Sequence, residues 1–290
     1  VLAPALRQRL TALLGAPADI APVAGGDINA AFRWRNAQGA RYFVKCNATL
    51  GAAAFAAEAD GLARLAATAS VAVPEPVAHG EAGGEGYLVL PWFDAEAGSP
   101  QAWSALGRAL AALHAHTAPA YGLATDNLMG RLAQANHPHA SWPRFWAAER
   151  LGAQLRLARD GGRLEARLAR CLEALCEESE RLCARPGLQP ALLHGDLWSG
   201  NVVFTRGRPV LIDPAVYYGD REVELAFTEL FGGFPREFYA AYEAAAPLDA
   251  GYGRRRAFWQ LYPLLVHLNL FGAAYLGGVE RAVRACEELA

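Results

Sequence analysis

Between residues 192 and 214 the sequence runs Leu-Leu-His-Gly-Asp-Leu-Trp-Ser-Gly-Asn-Val-Val-Phe-Thr-Arg-Gly-Arg-Pro-Val-Leu-Ile-Asp-Pro, and this stretch constrains the fold more than any other. Two short apolar runs, Val202 to Phe204 and Val210 to Ile212, flank a turn that contains Gly207 and Pro209. Such a pattern predicts a β-hairpin. A hairpin brings its ends together, so Asn201, just before it, is expected beside Asp213, just after it. Asp196 lies five residues before Asn201, on a loop that also holds Gly195 and Gly200. Two hard oxygen ligands and a free carboxylate are what magnesium-assisted phosphoryl transfer requires. The competing reading is a surface hairpin whose Asp and Asn merely cap turns. One such residue near a glycine would favour it; three at these spacings do not.

The chain of 290 residues is long enough for two lobes or one large domain. Its composition, 53% hydrophobic and 19% charged, is that of a globular protein with a sizeable core. A net charge of −2 gives no reason to expect nucleic acid or an anionic membrane as partner. No basic-then-apolar leader is read at Val1. The most apolar stretch, residues 261–276, is interrupted by Pro263, His267 and Asn269, and reads as a buried helix rather than a membrane span. Five cysteines, an odd number without zinc-type spacing, suggest free thiols and a cytoplasmic protein. A monomer is expected.

Of the 27 basic residues all but one are arginine; the exception is Lys45. A compact point charge that fits between phosphates is a reason to keep one ammonium where guanidinium serves everywhere else. Chance is the alternative, and the position of Lys45 decides. Residues 4–14 read as a helix, and residues 20–24, 31–35 and 41–46 as strands. The glycine turn Gly25-Gly26-Asp27-Ile28-Asn29 joins the first two strands, and Lys45 closes the third. Strand, glycine turn, strand, turn and strand with lysine is the order of the small lobe of a kinase. Backbone N–H groups of Gly25 and Gly26 would then face nucleotide phosphates. An Ala-rich helix over residues 52–67 carries Glu58, thirteen residues after Lys45, where a kinase pairs a helix glutamate with the strand lysine. A solvated helix charge is the alternative for Glu58.

Residues 74–79 and 87–90 read as further strands, and the chain then passes through Pro91-Trp92-Phe93. This is the expected hinge and the site of adenine contact. Pro91 has no N–H to offer, so Phe93 becomes the candidate donor. The expected division is a nucleotide-binding lobe over residues 1–90 and a catalytic and substrate-binding lobe over 91–290. Helices are expected over 101–116, 145–159, 163–184, 223–231, 234–245 and 254–275. Residues 121–139, polar and without period, read as a binding loop that carries Asp126 and Asn127. The predicted class is α+β: a two-lobed, protein-kinase-like fold with a small N-terminal antiparallel sheet and helix, and a larger, mainly helical C-terminal lobe.

The chain resembles the fructosamine kinases (ketosamine-3-kinases), particularly the bacterial ones. The resemblance rests on the run from Leu193 to Asn201, on Ile212-Asp213-Pro214-Ala215-Val216-Tyr217-Tyr218-Gly219-Asp220-Arg221-Glu222, and on Leu230-Phe231-Gly232-Gly233-Phe234. Further points are Asp126-Asn127 with Gly130, Gln134 and Asn136, the run from Glu149 to Leu155, and Leu268-Asn269-Leu270-Phe271-Gly272. His-Gly-Asp and Ile-Asp alone are shared with aminoglycoside and choline phosphotransferases; Leu-Trp-Ser-Gly-Asn and Asp-Pro-Ala-x-Tyr-Tyr-Gly are far more specific. The resemblance implies ATP-dependent phosphorylation of the 3-hydroxyl of a ketosamine, small or protein-bound, and a part in deglycation.

In that reading Lys45 grips the α/β-phosphates and Glu58 orients it, Asn201 and Asp213 hold Mg2+, and Asp196 accepts or orients the attacking hydroxyl. His194 either braces the loop or takes part in catalysis. Trp198 either stacks on the sugar or packs in the core. Asp126, Asn127 and Trp142 are substrate-side candidates, and Arg221 is expected to pair with Glu222. Two departures stand out: the glycine turn has no cysteine, and Pro91-Trp92 occupies a hinge where an acidic residue is common. An aminoglycoside- or choline-type phosphotransferase and an inert nucleotide-binding pseudokinase remain as alternatives.

Overall fold

The computed structural model describes residues 2–24 and 28–287. The expected glycine turn at Gly25 and Gly26 therefore lies outside the described residues. The chain divides into two compact units, Val1–Gly98 with Val203–Asp213, and Ser99–Val202 with Pro214–Ala290. The first unit thus runs on past Pro91 and takes back the hairpin.

In the first unit, helix α1 (Pro4–Leu14) precedes strands β1 (Pro17–Pro22), β2 (Ala30–Asn36) and β3 (Arg41–Asn47). Helix α2 (Gly51–Ala67) follows, then β4 (Ala78–Ala82) and β5 (Glu85–Pro91). The five strands form one antiparallel sheet in the order β1-β2-β3-β5-β4. Strand β4 begins later than the pattern suggested because Pro74 and Pro76 have no N–H to give a ladder. Alternation along the strands sorts their side chains between two helices. Trp34, Val44, Cys46, Tyr87 and Val89 pack with Leu6, Leu10 and Leu14 of α1. Leu88 and Leu90 face the other way and pack with Phe55, Ala59 and Leu62 of α2. Both faces of β5 are covered, which is why it reads as a continuous apolar run. Lys45 lies opposite Leu88 in the β3–β5 ladder and so shares the α2 side of the sheet.

The connection from β3 to α2 is only three residues long, and Asn47 organises it. Its Oδ1 accepts from the N–H groups of Thr49 (2.7 Å) and Leu50 (3.1 Å), and its Nδ2 donates to Ile28 O at 2.9 Å. The hairpin formed by β9 (Val202–Thr205) and β10 (Arg208–Leu211) is present as expected. Its two turn residues, Arg206 and Gly207, both have positive φ, the conformation that matches the twist of a two-residue hairpin. Backbone bonds from Glu96 N to Phe204 O (2.8 Å) and from Leu211 N to Ala72 O (2.9 Å) tie it into the first unit.

The second unit is mostly helical. Helix α3 (Pro100–His114) is capped by Ser99, whose Oγ accepts from Ala102 N. Helix α4 (Trp142–Phe145) runs through a π-helical segment, Trp146–Leu151, into α5 (Gly152–Asp160). There follow α6 (Ala166–Glu177), α7 (Ser179–Cys183), α8 (Arg221–Thr228), α9 (Arg236–Ala245), α10 (Tyr252–Phe271) and α11 (Leu276–Glu287). Three expectations are corrected. The helix expected over 163–184 is two helices, broken at Glu178; α11 was not foreseen; and the stretch 121–139 contains a hairpin, β6 (Asn127–Met129) with β7 (Leu132–Gln134). Strands β8 (Ala191–Leu193) and β11 (Tyr217–Gly219) pair antiparallel across the base of the Asp196 loop. Trp142, Phe145, Trp146 and Trp259 form an aromatic core around α10. Residues 261–271 are part of that helix, and among the described residues no helix is long and apolar enough to cross a membrane.

Gly86 on β5 lies close against the start of α2: a Cβ there would fall 2.3 Å from the Gly51 carbonyl oxygen. Gly86→Ala should therefore push the start of α2 away from β5 and destabilise the protein by about 1–3 kcal/mol, the usual cost of overpacking. Urea unfolding measures the loss, and an unchanged midpoint would contradict the close approach.

Candidate active site

The first unit brings together Lys45, Glu58 and Asp213. Lys45 is buried, and its Nζ donates to Glu58 Oε1 at 2.9 Å and to Asp213 Oδ1 at 2.5 Å. Burial works against the ammonium charge, but Asp213 and Glu58 outweigh it and hold the lysine above its ordinary range. Glu58 is held above its own ordinary range by burial and by the negative charge of Asp213, with Lys45 pulling the other way. Two carboxylates thus share one cation. Asp213 adopts φ of 57°, a left-handed conformation that costs a non-glycine residue about 1–3 kcal/mol and recurs at functional sites. The end of the hairpin thereby turns its carboxylate onto Lys45. Phe93 lies half-buried just beyond β5. Beside it, Asp94 accepts both guanidinium nitrogens of Arg41 (2.7 and 2.6 Å) and the Trp92 indole N–H.

The second unit holds Asp196 and Asn201. Asn201 Nδ2 donates to Asp196 O at 2.7 Å and to Asp196 Oδ2 at 3.1 Å. With its amide nitrogen so used, Asn201 is left with Oδ1 as a hard oxygen acceptor. Gly195 has φ of 86°, and a Cβ there would fall 2.0 Å from Ala215 O, so the residue before Asp196 can only be glycine. His194 is fully buried, which supports the bracing role over a catalytic one: its Nδ1 accepts from Asp196 N at 3.3 Å.

Glu224 is a site residue that sequence reasoning missed. This carboxylate, buried on α8, accepts from His194 N (3.1 Å) and Gly195 N (2.7 Å), and also bonds His114 Nε2 at 2.9 Å. Nδ1 of His114 in turn meets Tyr242 OH at 2.8 Å. Burial alone would raise the Glu224 carboxyl, but the His114 contact, the imidazole of His194 and the Gly195 N–H hold it below its ordinary range. Asp220, Glu222 and Glu224 alternate with Arg221 and Val223, a pattern that also fits a solvated helix start, and the partner His114 is 110 residues away.

Other expectations change. Arg221 and Glu222 do not pair with each other. Arg221 donates to Ala246 O and Tyr242 OH, while Glu222 accepts from Arg255 and from the Trp259 indole, because consecutive helical side chains point apart. Trp142 is a core residue, 1% exposed, and not a substrate contact. Trp198 stays half-exposed, its indole lying over Gly200, where a Cβ would come within 2.3 Å of the ring. Asp126 is exposed and its Oδ1 accepts from Asn136 N at 2.8 Å. Both ends of the Asn127 amide are bonded within the protein, Nδ2 to Val216 O and Oδ1 to Gln134 Nε2. Among the described residues no cluster of three or more His, Cys, Asp and Glu can hold a metal by itself. Asp213 in the first unit and Asn201 in the second each offer a hard oxygen of the type that Mg2+ takes.

Residues 4–288 match the family model described as fructosamine kinase. A Synechocystis sp. protein named as a probable ketoamine kinase is 42% identical over 266 residues, covering 91% of this chain and 88% of that protein. The Arabidopsis thaliana chloroplastic protein-ribulosamine 3-kinase is 37% identical over 260 residues, covering 88% of this chain and 78% of that one. The crystal structure of a Thermobifida fusca fructosamine-3-kinase homologue superposes with a TM-score of 0.88 at 35% identity, covering 98% of each chain. A thermostable mutant of the aminoglycoside phosphotransferase APH(4)-Ia shares the fold at a TM-score of 0.66 and 19% identity. These likenesses make the fold protein-kinase-like.

Glu224 allows a test of the loop's anchorage. Its carboxyl is depressed in the folded protein, so its contribution to stability is full above the ordinary glutamate range near pH ~4.3 and is lost as pH falls through the lower, folded value. Glu224→Gln places an amide N–H2 among three donors and should cost about 3–5 kcal/mol at neutral pH. Its stability should also fall less steeply below pH ~4.3 than that of the wild type. Parallel stability profiles in acid, followed by denaturant melts, would contradict this.

Proposed function

Because the chain belongs to the fructosamine kinase family, we propose that it transfers the terminal phosphoryl group of ATP to the 3-hydroxyl of a ketosamine. The acceptor is a fructosamine or ribulosamine adduct, small or protein-bound. The new bond joins the sugar oxygen to phosphorus, the bond from phosphorus to ADP breaks, and the hydroxyl proton leaves the sugar oxygen. Phosphorylated adducts of this kind are unstable, so the activity serves deglycation.

The observation that carries the reading is the Asp196 loop. Its carboxylate is held by Asn201 on a loop whose preceding residues are clamped by Glu224. Asp196 orients the attacking hydroxyl and accepts its proton; since a loose phosphoryl-transfer transition state asks little of a base, positioning is the larger part of the work. Lys45, kept charged by Glu58 and Asp213, binds the α/β-phosphates, and backbone groups at Gly25, Gly26 and Phe93 receive the rest of the nucleotide. Asn201 and Asp213 would hold Mg2+, which when bound neutralises charge on the phosphate oxygens. The half-exposed indole of Trp198 offers a flat face to the sugar ring, with the exposed Asp126 on the substrate side. All five cysteines are free thiols, in keeping with a cytoplasmic location.

ADP release measured with a fructosyl-amine, a ribulosyl-amine, choline and kanamycin as acceptors should show turnover with the fructosyl-amine, the ribulosyl-amine or both, and with neither of the others. Turnover with choline or kanamycin instead would move the chain to another substrate class; nucleotide binding without turnover on any acceptor would make it a binding module. Asp196→Asn should lower kcat by about 10²–10⁴-fold while leaving nucleotide affinity unchanged. Retained turnover would overturn the role given to Asp196.

A further inference from the structure

A hydrogen-bond chain in the second unit starts at a buried cation and runs in one direction. Arg150 is 0% exposed. Its partners are carbonyl oxygens and ring faces rather than a carboxylate. The guanidinium donates to Ala135 O and to Asn136 Oδ1, each at 2.6 Å, and its Cζ lies 3.9 Å from the Tyr217 ring centre and 4.6 Å from that of Phe145. A buried cation is costly to keep without dense compensation.

Arginine only donates. Asn136 therefore turns its Oδ1 to Arg150, and its Nδ2 donates to Asn127 Oδ1 at 2.9 Å. That same Oδ1 accepts from Gln134 Nε2 at 2.8 Å, so Asn127 has only Nδ2 left to offer the other way, and it donates to Val216 O at 2.8 Å. Gln134 Nε2 also reaches Ala215 O at 3.1 Å, while its Oε1 accepts from Tyr262 OH at 2.5 Å. Amide orientation is ambiguous from shape alone. Here the guanidinium fixes each amide in turn, and the chain delivers N–H donors to two consecutive carbonyls, Ala215 and Val216. These residues back the reactive loop: Ala215 N donates to His194 O at 2.9 Å, and Gly195 packs directly against Ala215 O.

We infer that Arg150, acting through Asn136, Asn127 and Gln134, is a positioning residue for Asp196. Glu224 holds the loop by its N–H groups; the Arg150 chain holds the Ala215–Val216 segment behind it by its carbonyls. The turnover part of the inference rests on the kinase reading of Asp196; the structural part does not.

Gln134→Glu and Asn127→Asp keep shape but replace a donor with an acceptor, which sets oxygen against the Ala215 or Val216 carbonyl. Each should speed hydrogen exchange at the Gly195 and Asp196 amides by about tenfold or more. Each should also lower kcat by about 10- to 100-fold, with KM for nucleotide and ketosamine unchanged. For Gln134→Glu the deficit should shrink as pH is lowered from 8 to 6, because a neutral carboxyl regains a donor. Unchanged exchange in the folded variants overturns the inference. So does a loss expressed in ketosamine KM, which would make Asn127 a substrate contact. Should Gln134→Glu not fold, Asn127→Asp, whose side chain is half-buried, carries the exchange and kinetic readouts. A wild type that turns over no ketosamine refutes the proposed function and leaves the exchange result to decide this one.

Discussion

The first unit is arranged around one buried ammonium group. Strand alternation places Lys45 on the α2 side of the sheet, among Leu88, Leu90 and Phe55, where an isolated charge would be expensive. Glu58 and Asp213 make it tenable. Each arrives by a different route: Glu58 on the helix stripe that packs on β5, Asp213 at the end of a hairpin whose sequence lies far away. The trio therefore ties the register of β3, the seat of α2 and the tail of the hairpin to a single atom. Two carboxylates on one cation leave the group with a net negative charge, and burial together with Asp213 holds the Glu58 carboxyl above its ordinary range. Such a trio is receptive to more positive charge near Asp213.

The second unit solves a different problem with groups that can act in one sense only. The segment from His194 to Asp196 needs partners for its N–H groups, and Ala215–Val216 needs partners for its carbonyls. A carboxylate only accepts and a guanidinium only donates. Glu224 meets the first need directly. Arg150 meets the second through three amides that relay its polarity. Neutral side chains in both places could flip between bonding patterns; two buried charges of opposite sign leave a single arrangement. Their burial costs stability and returns definition, and the definition falls on the loop that carries Asp196.

Much of this was legible in the sequence, where local pattern and chemistry coincide. The hairpin, the succession of strands leading to Lys45, the Lys45–Glu58 pair and the proximity of Asp196 to Asn201 follow from periodicity, turn residues and short spacings. What the sequence hid depends on long-range partners. Glu224 looks like any acid at a helix start until His114 closes on it. Asn127 looks like a loop residue reaching for substrate until Val216 and Gln134 take both ends of its amide. Trp142 is a related case: beside a polar loop it reads as a substrate-side residue, and the cluster that buries it joins Phe145 and Trp146 of its own helical stretch to Trp259 of α10, far along the chain. The β6–β7 hairpin was missed because three-residue strands leave too few positions for alternation to register.

The lone lysine now has a physical explanation. Elsewhere the protein uses arginine where a planar fork fits: Arg41 on Asp94, Arg185 on Asp220, Arg255 on Glu222. Each is a two-point grip on a single carboxylate, which locks geometry and uses the fork fully. Lys45 faces another task. Its ammonium has three donors at tetrahedral angles, and Glu58 and Asp213, coming from different elements, take two. In the proposed reading the third turns to a phosphate oxygen without disturbing the first two. A guanidinium of fixed planarity would have to give up one carboxylate to do the same. The substitution that a chain so rich in arginine would most readily accept, Lys45→Arg, is thus the one its site is least able to use.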